Sequence, residues 1–177
     1  GWQVPFLTDD NYTKASIESV DIKKIDQFFK KNDVAVIAGF QGVNSIGDIT
    51  TLGRGGSDTS AVAFAAVLEA ERCDIFTDVD GIYTSDPRIV SKAKKLDYVS
   101  FEEMIEMSSQ GAKVLETRSV ALAMRYGVRL QVLSSFQNLI GTFVVGEEEI
   151  MEKNIVSGIV HSLNVAKITI VGIPDKP

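Results

Sequence analysis

The densest group of residues with chemical potential lies in residues 50–66, TTLGRGGSDTSAVAFAA. Its candidate members are Gly53, Arg54, Gly55, Gly56, Ser57 and Asp58. Glycines allow backbone N–H groups to converge on an anion, and the start of a helix adds partial positive charge. An arginine can hold the same anion through two parallel hydrogen bonds. The segment therefore predicts a phosphate-binding loop followed by a helix of small residues.

Asp58 is unexpected in a site that only binds anions, because its own charge repels phosphate. It fits such a site if it neutralises a lysine, a metal ion or a substrate ammonium group. The alternative is a glycine-rich turn in which Ser57 or Asp58 is an ordinary helix N-cap. The spacing matches neither the P-loop, which needs Gly-Lys-Ser/Thr, nor the GxGxxG pattern.

A second candidate site lies in residues 77–88, TDVDGIYTSDPR. Its polar and aromatic members are Thr77, Asp78, Tyr83 and Arg88. A polar strand end, an aromatic ring and an arginine so close together could contact the base, ribose and phosphate of a nucleotide. The alternative is that Tyr83 packs within its loop and Arg88 is a solvated charge.

Lys113 is the third candidate, at the predicted start of a helix. A cation there opposes the helix dipole at a cost of about 0.3–1 kcal/mol, which a bound phosphate would relieve. The alternative is a solvated lysine. His161, the only histidine, is predicted to be a surface residue. No Cys/His cluster has zinc spacing, and no residue is predicted to bind a metal.

The hydrophobic pattern places these candidates between alternating strands and helices. Strands are predicted at residues 4–7, 34–40, 74–79 and 128–133, with two more within 155–171. Helices are predicted at 19–31, 57–70, 101–109 and 113–126, the third starting at a Ser100–Glu103 capping box and the fourth ending at Gly127. A loop or hairpin is predicted at 41–51. This order predicts an α/β fold with a mostly parallel sheet and helices on both faces. Ligands of such folds bind beyond the carboxyl ends of the strands, where the loops after 34–40 and 74–79 could share one crevice.

Composition narrows the class of protein. The chain has 177 residues, 45% of them apolar, and a net charge of −6. This predicts one domain, or one domain with part of another, and argues against a nucleic-acid partner. No apolar run reaches the roughly 18 residues of a membrane span, and no signal peptide is evident. With Cys73 as its single cysteine, the chain is expected to be cytoplasmic.

Taken in order, the segments TTLGRGGSDTSA, FTDVDGIYTSDPR and GAKVLETRSV resemble aspartokinases of the amino acid kinase superfamily. The resemblance implies a three-layer α/β/α sandwich of the carbamate kinase-like type, of which this chain is the C-terminal half. It implies transfer of the ATP γ-phosphoryl group to the aspartate β-carboxylate, the first step of lysine, threonine and methionine biosynthesis. Residues 1–146 would be the ATP-binding part, and residues 147–177 a linker and the first strand of an ACT regulatory region.

The resemblance also implies roles for individual residues. Arg54, Gly55, Gly56 and Ser57 match the segment that meets aspartate and the transferred group. Asp58 matches an aspartate that organises catalytic lysines. Thr77, Asp78, Tyr83 and Arg88 match nucleotide-binding positions, and Lys113 matches a lysine that stabilises phosphate charge.

Departures from the family pattern set limits on these expectations. The Lys-Phe-Gly-Gly-Thr-Ser motif of the family, which carries a catalytic lysine, is absent from the sequence. The pair of ACT regions typical of the family is also missing. Both ends therefore look cut, and the chain alone is expected to be inactive. ATP with Mg²⁺ and L-aspartate are the implied ligands, and a homo-oligomer or an α/β-subunit assembly is the implied state of the full-length enzyme. The alternatives are a carboxylate or nucleoside monophosphate kinase of the same superfamily and a non-catalytic nucleotide-binding module.

Overall fold

The computed structural model describes residues 3–151 and 156–162. The strands are β1 (Phe6–Thr8), β2 (Ile17–Val20), β3 (Gln41–Val43), β4 (Ile49–Thr51), β5 (Cys73–Thr77), β6 (Tyr98–Ser100), β7 (Leu130–Ser134) and β8 (Thr142–Val145). The helices are α1 (Lys23–Phe29), α2 (Gly56–Val67), α3 (Phe101–Ser109) and α4 (Thr117–Tyr126), and a short 3₁₀ helix covers Glu147–Glu149. The predicted α/β class is confirmed. None of the helices in this part of the chain has the length and apolar character to span a membrane.

The strands divide into two four-stranded mixed sheets. The first has the order β2-β1-β3-β4, and the second has the order β5-β7-β8-β6. In the second sheet β5 runs parallel to β7, and β6 runs parallel to β8, while β7 and β8 are antiparallel. The predicted preference for parallel pairing therefore holds within the second sheet, with one antiparallel pair at its centre.

The main core lies between the second sheet and helices α2, α3 and α4. Val62 of α2, Met104 of α3 and Val120 of α4 are fully buried, and so are Leu130 and Val132 of β7. Burying side chains of this size contributes roughly 1.5–3 kcal/mol each. This core fixes the positions of β5 and β7 and of the loops that follow them.

Helix α3 begins at the predicted capping box. The Ser100 hydroxyl oxygen accepts a hydrogen bond from the Glu103 backbone N–H at 3.2 Å. In return, the Ser100 backbone N–H donates to Glu103 Oε2 at 3.0 Å. These two bonds satisfy amides that the helix itself leaves unpaired, so the predicted start of the helix is confirmed.

The predicted strand at residues 34–40 is wrong. These residues are in no strand, and Val36 is 97% exposed. A strand buried on both faces needs a hydrogen-bonded neighbour and a covering layer on each side. Among the described residues no strand pairs with this segment, although the Phe40 N–H donates to Ser60 Oγ of α2 at 3.1 Å.

Two predicted helices begin too early. The helix predicted at residues 19–31 corresponds to α1, which begins only at Lys23. Ser19 and Val20 belong to β2 and pair with β1. The helix predicted from Lys113 begins at Thr117, because its N-cap Glu116 has extended backbone angles. The predicted end of α4 at Gly127 and the predicted hairpin at 41–51 are both confirmed.

Three strands, β2, β6 and β8, were not predicted from the sequence. Residues 156–162, predicted to belong to a pair of strands, lie in no strand. The rest of that prediction, residue 155 and residues 163–171, lies outside the described residues.

Candidate functional site

A cavity of about 1090 Å³ lies beyond the carboxyl ends of β5 and β7. Asp78 directly follows β5, and Ser134 is the last residue of β7; both line the cavity. This is the edge at which ligands bind in parallel sheets. Four of the predicted nucleotide-site residues line this one cavity: Asp78, Tyr83, Arg88 and Lys113.

The loop after β5 holds its polar groups in local hydrogen bonds. The Thr77 hydroxyl donates to Asp78 Oδ1 at 3.1 Å, so Thr77 supports the cavity from the strand end without lining it. The Tyr83 hydroxyl donates to Asp80 Oδ1 at 3.0 Å. Burial raises the pKa of Tyr83, and the Asp80 carboxylate raises it further, so its hydroxyl stays protonated at neutral pH.

Arg88 is held by a neighbouring carboxylate. Its Nε donates to Asp86 Oδ1 at 3.0 Å and its Nη2 donates to Asp86 Oδ2 at 2.8 Å, a bidentate pair. The side-chain bonds from Arg88, followed by the Arg88 backbone N–H, lower the pKa of Asp86 to about 2. The Arg88 side chain is 87% exposed, and the pair with Asp86 holds it beside the cavity.

Lys113 lies in the turn between α3 and α4 and not at a helix start. Lys113 therefore does not oppose a helix dipole, contrary to the expectation from the sequence. Within residues 3–151 and 156–162 no carboxylate lies within ion-pair distance of Lys113. The Lys113 ammonium is thus an uncompensated cation on the cavity wall, suited to an anionic ligand.

The glycine loop lies apart from this cavity. Gly53 and Gly55 have left-handed φ angles of 78° and 66°, and α2 starts at Gly56. Gly55 is the N-cap, and no side chain caps the helix, so Ser57 and Asp58 do not act as N-caps. None of the predicted substrate residues, Arg54, Gly55, Gly56, Ser57 and Asp58, lines the cavity.

Glu116 covers the glycine loop. Its Oε1 accepts from Arg54 Nε at 2.9 Å, with side chains 38% and 77% exposed respectively. A Cβ on Gly55 would lie only 2.0 Å from Glu116 Cγ, so only glycine allows this approach. The loop that was predicted to receive an anion thus receives a carboxylate of the chain itself.

Asp58 is partly buried beside this pair. Burial raises the pKa of Asp58, the Ser57 hydroxyl lowers it, and the nearby Glu116 carboxylate raises it again. In the described part of the chain Asp58 has no lysine or arginine within ion-pair distance. Its predicted role as an organiser of lysines stays a prediction.

Several residues of the cavity were not predicted from the sequence. Asp80, Asp86, Phe136, Ile159, His161 and Ser162 also line the cavity. Phe136 was within reach of sequence reasoning, because it follows β7 as Asp78 follows β5. His161 is exposed as predicted, but nothing in the sequence connects it with a loop more than seventy residues earlier.

A metal site built by protein groups alone is not found in the described ranges. No group of three or more His, Cys, Asp or Glu side chains there is placed to hold a metal ion. Of the cavity carboxylates, Asp80 is engaged by Tyr83 and Asp86 by Arg88.

Comparison with known proteins identifies the family. The amino acid kinase family profile matches residues 2–134, and the chain belongs to that family. It is 54% identical over 178 aligned positions to an aspartate kinase of Stutzerimonas stutzeri, covering 100% of this chain and 43% of that protein. The chain thus spans less than half the length of this relative.

Solved structures give the same picture. E. coli aspartokinase III in complex with aspartate and ADP matches with a TM-score of 0.69 and 38% identity, over 80% of this chain and 33% of that one. Aspartate kinase from Synechocystis matches with a TM-score of 0.71 and 41% identity, over 88% of this chain and 25% of that one. The fold is therefore that of the amino acid kinases.

Proposed function

We propose that this chain supplies the nucleotide-binding part of an aspartate kinase. The observation that carries the proposal is the gathering of Asp78, Tyr83, Arg88 and Lys113 around one cavity at the carboxyl ends of β5 and β7. A relative 54% identical is named aspartate kinase, and a 38% identical structure holds aspartate and ADP. The cavity is large enough for a nucleotide, since ligand pockets typically measure about 300–1,000 Å³.

In the proposed reaction an oxygen of the aspartate β-carboxylate attacks the γ-phosphorus of ATP. The bond from that phosphorus to the β,γ-bridging oxygen breaks, which yields 4-phospho-L-aspartate and ADP. Such a transfer needs positioning and charge stabilisation rather than a nucleophilic side chain. Lys113 and Arg88 supply positive charge at the phosphates, and Asp78 and Tyr83 hold the rest of the nucleotide. Thr77 assists from the strand end by orienting Asp78.

The acceptor side of the reaction is assigned to the glycine loop. Arg54, Gly55, Gly56 and Ser57 would meet aspartate and the transferred group, and Asp58 would organise catalytic lysines. The Arg54–Glu116 pair supports this proposal, because Arg54 Nε donates to a carboxylate oxygen there at 2.9 Å. An incoming substrate carboxylate would replace Glu116 there.

Mg²⁺ is proposed to enter with ATP. Mg²⁺ in kinases is usually held by substrate phosphates with one or two carboxylates, and it neutralises charge on the transferring group. Asp78 is the cavity carboxylate best suited to assist, because its only hydrogen-bond partner among the described residues is the Thr77 hydroxyl. This fits a metal bound mainly by the nucleotide.

The wider setting of the enzyme is also a proposal. We place it in the cytoplasm, as a homo-oligomer or an α/β-subunit assembly, with residues 147–177 as a linker and the first strand of an ACT region. These assignments follow the resemblance to aspartokinases.

The test is phosphoryl transfer by the full-length protein. With ATP and Mg²⁺ present, L-aspartate should give an acyl phosphate that hydroxylamine traps as a hydroxamate. A panel of other carboxylates and of nucleoside monophosphates should give no product. If only a panel member is phosphorylated, the protein is another kinase of the superfamily and not an aspartate kinase. Nucleotide binding without any phosphoryl transfer would indicate a non-catalytic module.

A further inference from the structure

Segment 156–162, which follows the kinase-family region of the chain, reaches back to the cavity. Four of its residues line the same space as Asp78 and Lys113: Ile159, Val160, His161 and Ser162. The segment belongs to no sheet or helix. Its position therefore depends on a few specific contacts.

The first contact fixes the segment to the loop after β5. The Ile159 backbone N–H donates to the Thr84 carbonyl at 2.8 Å. Thr84 is itself held in place, because its N–H donates to the Lys94 carbonyl at 2.9 Å and its hydroxyl accepts from the Lys94 N–H at 3.0 Å. The segment thus binds a rigid part of the loop that carries Tyr83 and Arg88.

The second contact fixes the segment to α3. The Ser157 hydroxyl donates to Glu103 Oε1, while Glu103 Oε2 remains in the capping box. Gly158 lies against the same helix: a Cβ there would stand 3.3 Å from the Thr84 carbonyl oxygen and 3.4 Å from Met107 Cε. A larger residue at 158 would push the segment away from the helix and the loop.

His161 lines the cavity together with the charged residues Asp86, Arg88 and Lys113. A Cβ built on Gly111, in the turn that carries Lys113, would lie 3.6 Å from the His161 carbonyl oxygen. The charge of His161 also helps to lower the pKa of Asp86, after the larger effects of Arg88. His161 therefore lies close to the Asp86–Arg88 pair and to the turn that carries Lys113.

Resting on that proposed function, we propose that segment 156–162 is part of the nucleotide site and that His161 contacts the bound nucleotide. Nucleotide binding and the seating of the segment are then thermodynamically linked, so each favours the other by the same factor. The segment also leads directly into residues 163–177.

The test compares the affinity of the 177-residue chain for ADP by calorimetry in four variants. Gly158→Val and His161→Ala should each weaken ADP binding by about fivefold or more. Gly146→Val is the matched control, because it lies outside the cavity and its nearest neighbour is the flexible Glu148 side chain. Lys113→Ala reports on the proposed function itself.

The outcomes separate the two proposals. If Lys113→Ala weakens binding while Gly158→Val and His161→Ala match the control, the segment is not part of the site and the proposed function stands. If the unaltered chain does not bind ADP, or no variant changes its affinity, both proposals fail.

Hydrogen exchange in the unaltered chain provides a second measurement that does not depend on a variant folding. Saturating ADP should slow exchange of the Ile159 amide several-fold, whereas the Ala15 amide, bonded to the Thr51 carbonyl in the first sheet, should not change. An unchanged rate at Ile159 would overturn the inference.

Discussion

Around the cavity, four parts of the chain surround one space: the loop after β5, the turn before α4, the loop after β7 and segment 156–162. At the glycine loop the described residues form one face, where Arg54 is 77% exposed and its partner is Glu116. Both regions were predicted from the sequence to bind phosphate. The difference shows that a motif supplies chemical groups, whereas a binding site also needs enclosing walls. Within residues 3–151 and 156–162, the first region is enclosed and the glycine loop is not.

The largest effect is expected at Lys113. In the full-length protein Lys113→Ala should lower kcat by about 10²–10³-fold, as expected for loss of one charge-stabilising donor. The exposed Lys92, which is not a cavity residue, gives the control Lys92→Ala. Equal activity in the two variants would remove Lys113 from the site. Steady-state kinetics with ATP and aspartate measures both.

Asp58 should separate the two regions. Asp58→Asn in the full-length protein should lower kcat by about 10²-fold through misplaced catalytic groups, while ADP affinity of the 177-residue chain stays unchanged. Asp33→Asn, at an exposed position, is the control. A loss of ADP affinity in Asp58→Asn would mean that the glycine loop belongs to the nucleotide cavity.

The same variant has a predicted effect on stability. Burial raises the folded-state pKa of Asp58, so folding disfavours its charged form. The resulting penalty is absent below the unfolded pKa and grows as pH rises through the folded pKa. Asp58→Asn should therefore raise the melting temperature at pH 7 but not near pH 3. Melting curves at the two pH values check the sign, and a lower melting temperature at pH 7 would contradict it.

Arg88 should have a smaller effect, on binding alone. Arg88→Ala should weaken ADP binding by about tenfold, the loss of one charge-assisted contact. Arg72→Ala is a closely matched control, because Arg72 likewise pairs with an aspartate two residues away, Asp74 at 2.7 Å, and does not line the cavity. Equal affinities in the two variants would place Arg88 outside the site.

The Asp86–Arg88 pair also predicts a pH dependence. Because the folded pKa of Asp86 is lowered to about 2, its contribution to stability is present above the unfolded pKa of 3.8 and is lost as pH falls toward 2. In Arg88→Ala the Asp86 carboxyl should titrate at a higher pH. A carboxyl titration followed by NMR would show this, and an unchanged pKa would indicate that other groups lower it.

The smallest effect is expected at the glycine loop itself. The reference variant is Gly127→Ala, at the end of α4 and outside that loop. It should cost about 1 kcal/mol of stability from the left-handed φ alone, because nothing lies near a Cβ added there. Gly55→Ala should cost more, since it also displaces Glu116, yet ADP affinity should not change. Equal melting temperatures for the two variants would mean that Glu116 moves away freely.

The parts of the structure that follow from local sequence were predictable. The capping box at Ser100, the end of α4 at Gly127 and the strand before Asp78 all depend on neighbouring residues. The segment at 34–40 failed because an apolar run specifies burial, not the neighbour that provides it. Its exposed Val36 shows that the described residues supply none.

The site divides in the same way. Asp78 and Tyr83 could be predicted because they follow a recognisable strand, and the order of motifs related them to Lys113. His161 could not, because only tertiary contacts at Thr84, Glu103 and Met107 bring segment 156–162 to the cavity. No local pattern encodes those contacts.

The contrast between the cavity and the glycine loop is tested most directly by titrating the 177-residue chain with ADP and, separately, with L-aspartate in a calorimeter. The account predicts saturable binding of one ADP per chain and no saturable heat with aspartate. Saturable aspartate binding without ADP binding would contradict it, because the glycine loop would then be the formed site and the cavity would not.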